Sequence, residues 1–246
     1  MSTTTATVAV TTRVLTQVRR DHRTVAMLLV MPCVVMTLLW WMFEDLPGDG
    51  FDRLGPALLA LIPFIVMFLV TSVTTLRERT SGTLERLLAM PMGKVDFLFG
   101  YAIAFGLFAA AQSALAVALC VWLLDLTIVG NVWMLLVVAV VDAILGTALG
   151  LFVSAFARTE FQAVQFMPVV VIPQILLCGL FVPREALPRV LEVISDVLPL
   201  SYGVDAMQTV AASHDTGEVW LDLAVVAAYV VAGLALGALT LRRQTP

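Results

Sequence analysis

The residue placed most unusually for chemistry is Asp142, a lone carboxylate inside an otherwise uncharged apolar run at residues 126–157. In such surroundings an acid can line a polar path, carry a coupled proton, or sit buried and bonded to a neighbouring helix. Its residue type does not choose among these. A central Asp costs about 2.5–3.5 kcal/mol on insertion into a bilayer. Its Leu, Val and Ile neighbours each return about 0.3–0.6 kcal/mol, so the segment still inserts. Asp142, Gly146, Gly150 and Ser154 recur every four residues, a small and polar helical stripe that should face other helices and not lipid. The next apolar run holds Gln162, Gln165 and Gln174 together with Pro168 and Pro173. Two prolines free backbone carbonyls and kink a helix, which can then move, line a cavity or simply bend.

Other chemistries lack their residues. Cys33, Cys120 and Cys178 lie far apart in apolar runs, with no C-x-x-C and only two histidines, which is no zinc site. There is no G-x-x-x-x-G-K-[ST], so no phosphate-binding loop. Neither H-E-x-x-H nor G-x-S-x-G occurs. Any nucleotide-driven step is expected on another polypeptide.

The elements that must position these residues are membrane spans. Of 246 residues, 61% are hydrophobic and 13% charged, and the mean hydropathy is +1.00. Disordered chains, nucleic-acid binders and disulfide-stapled secreted domains are excluded. Six stretches predict transmembrane helices, at 24–43, 54–76, 97–124, 131–157, 161–183 and 223–241. They are continuous and not alternating, so helices and not barrel strands are expected. The first is long enough to span, and no cleavable signal peptide is evident. Eleven of the 14 basic residues fall on the side that holds both termini and the loops after the second and fourth spans. The positive-inside rule makes that side cytoplasmic. Val10, Val14, Leu15 and Val18 predict an amphipathic N-terminal helix on the inner leaflet. Outside the fifth span, Leu187, Val190, Leu191, Ile194, Val197 and Leu198 form one apolar face, with Glu185 and Arg189 as an i,i+4 pair. That segment is expected in the outer interface, and 199–212 is a candidate to dip back into the membrane.

The loop after the second span reads LRERTSGTLERLLAMPMGK. Thr80, Ser81 and Thr83 offer N-cap oxygens. Glu85 favours the first turn, Leu84, Leu87 and Leu88 share a face, and Pro91 ends the helix. A two-turn amphipathic helix over 83–90 follows, which could lie on lipid or dock in a groove of a soluble partner. Here the residues resemble a known family. R-E-R-x-x-G-T-L-E-x-L-L-x-x-P at 77–91 looks like the hallmark of ABC-type-2 exporter permeases, the membrane subunits of ATP-binding-cassette exporters of the daunorubicin-resistance and nodulation-factor group. SAFARTEFQAVQFMPVVVIPQILLCGLFVP resembles that family's fifth span, and LPLSYGVDAMQTV its external segment before the last span. The resemblance implies that Thr83, Leu84, Glu85, Arg86, Leu87 and Leu88 form a coupling helix seated in a separate ABC ATPase, with the N-terminal helix beside it. It implies ATP and Mg on that partner and none on this chain, and a second permease copy or paralogue in a bacterial inner membrane.

The expectation is thus an all-α membrane protein, one permease domain over 1–246. It has six transmembrane helices, an N-terminal amphipathic helix, a cytoplasmic coupling helix and an external half-helix region. Its function would be ATP-driven export of a hydrophobic or amphiphilic substrate, with Asp142, Gly146, Gly150, Gln165 and Gln174 as pathway or helix-packing residues. The alternatives are an ion-coupled secondary transporter using Asp142 and an integral membrane lipid-modifying enzyme.

Overall fold

The computed structural model describes residues 3–44, 50–81 and 94–240. These residues are almost wholly helical, with no strand among them. In chain order the helices are α1 (Thr3–Arg20), α2 (His22–Glu44), α3 (Gly50–Thr80), α4 (Lys94–Trp122), α5 (Val132–Val153), α6 (Glu160–Leu177), α7 (Arg189–Val197), α8 (Pro199–Ala212) and α9 (Gly217–Thr240). Six of them, α2, α3, α4 from Phe99, α5, α6 and α9, are long and apolar enough to cross a membrane.

Local chemistry sets the helix starts. Asp21 closes α1 and caps α2, accepting the Thr24 N–H at 3.2 Å and the Thr24 hydroxyl at 2.7 Å, as an N-cap carboxylate should. Those two bonds hold its carboxyl below the ordinary range. Asn131 caps α5 through the Trp133 N–H at 2.8 Å, and Thr159 caps α6 through the Gln162 N–H at 3.2 Å.

The spans differ from the sequence expectation mainly at the end opposite α1. The fifth span stops at Leu177, not at 183, because Gly179 enters the left-handed region at φ 88°, the usual glycine device just past a helix end. The sixth begins at Gly217 and not at 223, taking Glu218 and Asp222 into its first turns. There an acid meets the positive end of the helix dipole.

The middle of the bundle is the α3–α5 pair, the most buried of the six spans. Gly146 and Gly150 make this closeness possible. A Cβ on Gly146 would collide with the Phe64 carbonyl, and one on Gly150 would lie 2.6 Å from the Phe68 carbonyl. In the last span both glycines of G-x-x-x-G, Gly233 and Gly237, are buried. Gly233 faces Ala148 of α5, where an added Cβ would sit 3.4 Å from the Ala148 Cβ. Helix α1 is amphipathic as expected, yet its stripe does not face outward. Val10, Val14 and Val18 are buried in a cluster with Tyr101, Phe105 and Leu28. The Thr11 hydroxyl also donates to the Gly100 carbonyl at 3.2 Å. Valines every four residues give a narrow ridge suited to a protein groove, and α4 supplies it.

Between α6 and α9 the chain forms two shorter helices, α7 and α8. A short 3₁₀ turn, Arg184–Ala186, leads to α7, whose Val190, Val193 and Val197 are exposed. Glu185 and Arg189 do not pair, because the 3₁₀ turn and Pro188 put them in different elements; Arg189 pairs with Glu192 at 3.0 Å. Helix α8 starts on Pro199 and packs against α3, α5 and α9. Its far end meets the start of α5, where the Val129 and Gly130 N–H groups donate to the Ala211 and Val210 carbonyls at 2.9 and 3.0 Å. Gly203 of the same helix abuts Asp142, the eleventh residue of α5. At 1.5 Å per residue Gly203 therefore lies about 15 Å along α5 from its first residue, near the middle of that helix.

Candidate functional site

Three places collect polar groups. The first is the α3 end that leads into 82–93. The expected coupling helix, with Thr83, Leu84, Glu85, Arg86, Leu87 and Leu88, lies outside the described residues. The turn just before it is held from two sides. Glu78, 5% exposed, accepts from Arg13 of α1 at 3.2 Å. Arg77 makes a forked pair with Glu160 of α6, at 2.9 and 3.1 Å. Beneath them Leu76 packs in a cluster with Ala157 and Ala163. One turn of one span thus grips the N-terminal helix and the start of the fifth span. The spacing of R-E-R placed these charges at a span end, but nothing in the sequence named Arg13 and Glu160 as their partners.

The second place is the junction of α5, α6 and α8. Asp142 is 1% exposed, and neither oxygen has a hydrogen-bond partner among the described residues. The bond to a neighbouring helix that one reading of the sequence expects is not made there. Its carboxyl group instead faces the bare Cα of Gly203, where a Cβ would collide with both oxygens. Gln174 is buried beside this junction. Its Nε2 donates to the Val170 carbonyl at 3.1 Å, and its Oε1 accepts the Leu200 N–H at 3.4 Å. A side chain of α6 thereby serves an N–H that the start of α8 leaves free. Ser195 donates to the Leu177 carbonyl at 2.7 Å and shares a 3.1 Å contact with Ser201. Tyr229 donates to the Val197 carbonyl at 2.7 Å. Broken helices at membrane depth need such partners, since lipid offers none. Gln165 does not join this group; it is exposed on the outer side of α6. Gly146 and Gly150 serve the α3 contact.

The third place is a cleft of about 500 Å³ opening between the start of α3, the 125–131 loop and α8. Asp52 holds the loop by accepting the Thr127 N–H at 3.0 Å. Arg184 anchors the opposite wall. It bonds Asp205, bonds Asp196 at 2.6 Å, and lies 5.1 Å from the centre of the Tyr202 ring. Burial pushes the Asp205 carboxyl above its ordinary range although Arg184 pulls it down. Burial works against the Arg184 charge, and Asp205 and Asp196 more than offset it. Sequence reasoning missed this cluster, because its members come from a turn and two helices whose junction no periodicity reveals.

Residues 5–211 match the family described as ABC-2 type transporter. ABC transporter G family member 20 of Dictyostelium discoideum is 26% identical over 202 residues, 80% of this chain and 28% of that protein. The probable multidrug ABC transporter permease YbhR of Escherichia coli K12 is 29% identical over 150 residues, 61% of this chain and 41% of the relative. The inner membrane transport permease YhhJ of the same strain is 27% identical over 155 residues, 62% and 41% of the two chains. The chain thus spans between about a quarter and two fifths of the length of these relatives. A match over residues 5–211, which takes in five of the six long apolar helices, places this chain in the ABC-2 type transporter family.

Proposed function

We propose that this chain is the membrane-spanning permease part of an ATP-driven exporter, working with a separate ABC ATPase and a second permease copy or paralogue. The observation that carries the reading is the grip on α3 immediately before 82–93. A push on that segment reaches α1 through Arg13–Glu78 and the fifth span through Arg77–Glu160, so motion of an ATPase on this side would move spans and not merely a loop. ATP and Mg would act on the ATPase, since the chain carries no phosphate-binding loop. The split of basic residues, 11 on one side and three on the other, favours both termini in the cytoplasm of a bacterial inner membrane. The cargo would be hydrophobic or amphiphilic, in line with the multidrug permeases among the relatives.

The test is co-purification with the ATPase encoded beside this gene, followed by ATPase and efflux assays in liposomes. Replacing Leu87 by Asp should abolish docking, because a charge would enter an apolar groove unpaired. Transport driven by an ion gradient, with no nucleotide-binding partner present, would replace this reading with the secondary-transporter one.

A further inference from the structure

The structure assigns a proton-binding site to the α5–α8 junction: Asp142 holds a proton while α8 is docked and releases it when α8 lifts away. This inference does not depend on the exporter reading. Two independent features carry it. The carboxyl group is 1% exposed with neither oxygen bonded among the described residues. The backbone of α8 closes directly upon it at Gly203, a position where any side chain would strike both oxygens. An ionised carboxylate enclosed in this way is far costlier than the neutral acid. The docked packing therefore selects the protonated form. Lifting α8 opens the junction towards the outer cleft, where the carboxyl can ionise and pass its proton to water.

The surrounding groups supply no counter-charge. On α3 the charged residues stand only at the ends, from Asp52 and Arg53 to Arg77. The described side chains of α4 add only Tyr101 and Cys120. The end of α6 adds Cys178, α8 adds Tyr202 and Asp205, and α9 adds Glu218, Asp222 and Tyr229. Arg184 near α8 is engaged by Asp205 and Asp196.

Cys178 reports the event. It is fully buried in the cluster that contains Leu200 and Val204 of α8, and both Asp142 and Asp205 act electrostatically on its thiol. The experiment uses the full chain in lipid nanodiscs, with Cys33 and Cys120 replaced by Ser. The rate of Cys178 modification by a small methanethiosulfonate reagent is followed against pH. Asp142→Asn keeps the shape but cannot ionise, and its profile contains only the thiol's own titration. The ratio of the parent rate to the Asp142→Asn rate should rise with pH by up to about tenfold per unit, the slope of one linked proton. Parallel profiles overturn the proposal. Should Asp142→Asn fail to fold, Gly203→Ala carries the test. Its Cβ props α8 off the acid, so labelling should be fast at every pH relative to the parent, with the linked slope gone. A Gly203→Ala protein that keeps the parent slope and rate overturns the proposal equally.

Discussion

The ion pairs at the two ends of the bundle differ in reach. At the end that leads into 82–93, ion pairs join elements far apart in the chain, with 65 residues between Arg13 and Glu78 and 83 between Arg77 and Glu160. At the other end, Arg184 finds Asp196 and Asp205 within 12 and 21 residues. Long-range ties make separate helices move together. Short-range pairs brace 184–205 within itself, and bonds from Gln174, Ser195 and Tyr229 together with the buried packing of Leu200 and Val204 join it to the spans. The first arrangement suits transmission of a force between distant elements, the second a locally braced one.

The contrast can be broken most severely at Arg13. Removing it by Arg13→Ala leaves Glu78 buried without its counter-charge. Loss of one partner of a buried pair costs about 3–5 kcal/mol, and the low end applies because Arg13 is 32% exposed. The melting temperature in detergent should fall, and α1 should become open to protease. Exchanging the charges, Arg13→Glu with Glu78→Arg, should recover part of the loss. An unchanged melting temperature and protease pattern would remove the transmission argument at this end.

Arg184→Ala comes next. It strands Asp205 in partly buried surroundings, a loss of about 1–3 kcal/mol. Hydrogen exchange should accelerate across 179–212 while α1 and α3 keep their protection. Acceleration spread evenly over all spans would contradict the idea of a self-contained outer unit.

Arg77→Ala should cost less, about 0.2–1 kcal/mol, because its pair with Glu160 is exposed and screened. The melting temperature should hardly move, yet the ratio of transport to ATP hydrolysis should fall, an effect that added salt imitates in the parent protein.

The smallest effect distinguishes the ends by pH. Asp21, held below its ordinary 3.8 by Thr24, contributes stability that is present above 3.8 and is lost as pH falls through its lowered value. Asp205 is held above 3.8 by burial, so the folded chain keeps that proton where the unfolded chain has lost it. Its contribution is present below 3.8 and declines as pH rises through its raised value. Melting temperatures of Asp21→Asn and Asp205→Asn, each compared with the parent across acid pH, should diverge in opposite directions. A common direction would refute the assignment of causes.

The spans were legible because a bilayer demands long uncharged runs, and the Asp142–Gly146–Gly150 spacing already pointed to a helix-facing stripe. Helix α8 was only half legible. Its apolar patches hinted at re-entry, but the groups that satisfy the broken ends around it lie on different helices: Gln174 serves the Leu200 N–H, Ser195 the Leu177 carbonyl and Tyr229 the Val197 carbonyl. Pairing between such distant positions leaves no period in a single sequence. The stop at Gly179 was written in the sequence as a glycine after an apolar run, and was hidden because hydrophobicity continues past it to Val182. Asp142 was visible at once, whereas its neighbour Gly203 was not, because a glycine's lack of a side chain matters only once the opposing surface is known.

The valine ridge of α1 bears on how the protein is made. Its groove is formed with Tyr101 and Phe105, some 80 residues downstream of the helix. At about 5–20 residues per second of synthesis, α1 waits roughly 4–16 s before that surface exists. During the wait its valines have no protein to cover them, and an amphipathic helix in that position settles on the bilayer surface. The lipid-binding character expected from the sequence would then belong to a stage of biogenesis, before α4 arrives to take the ridge over.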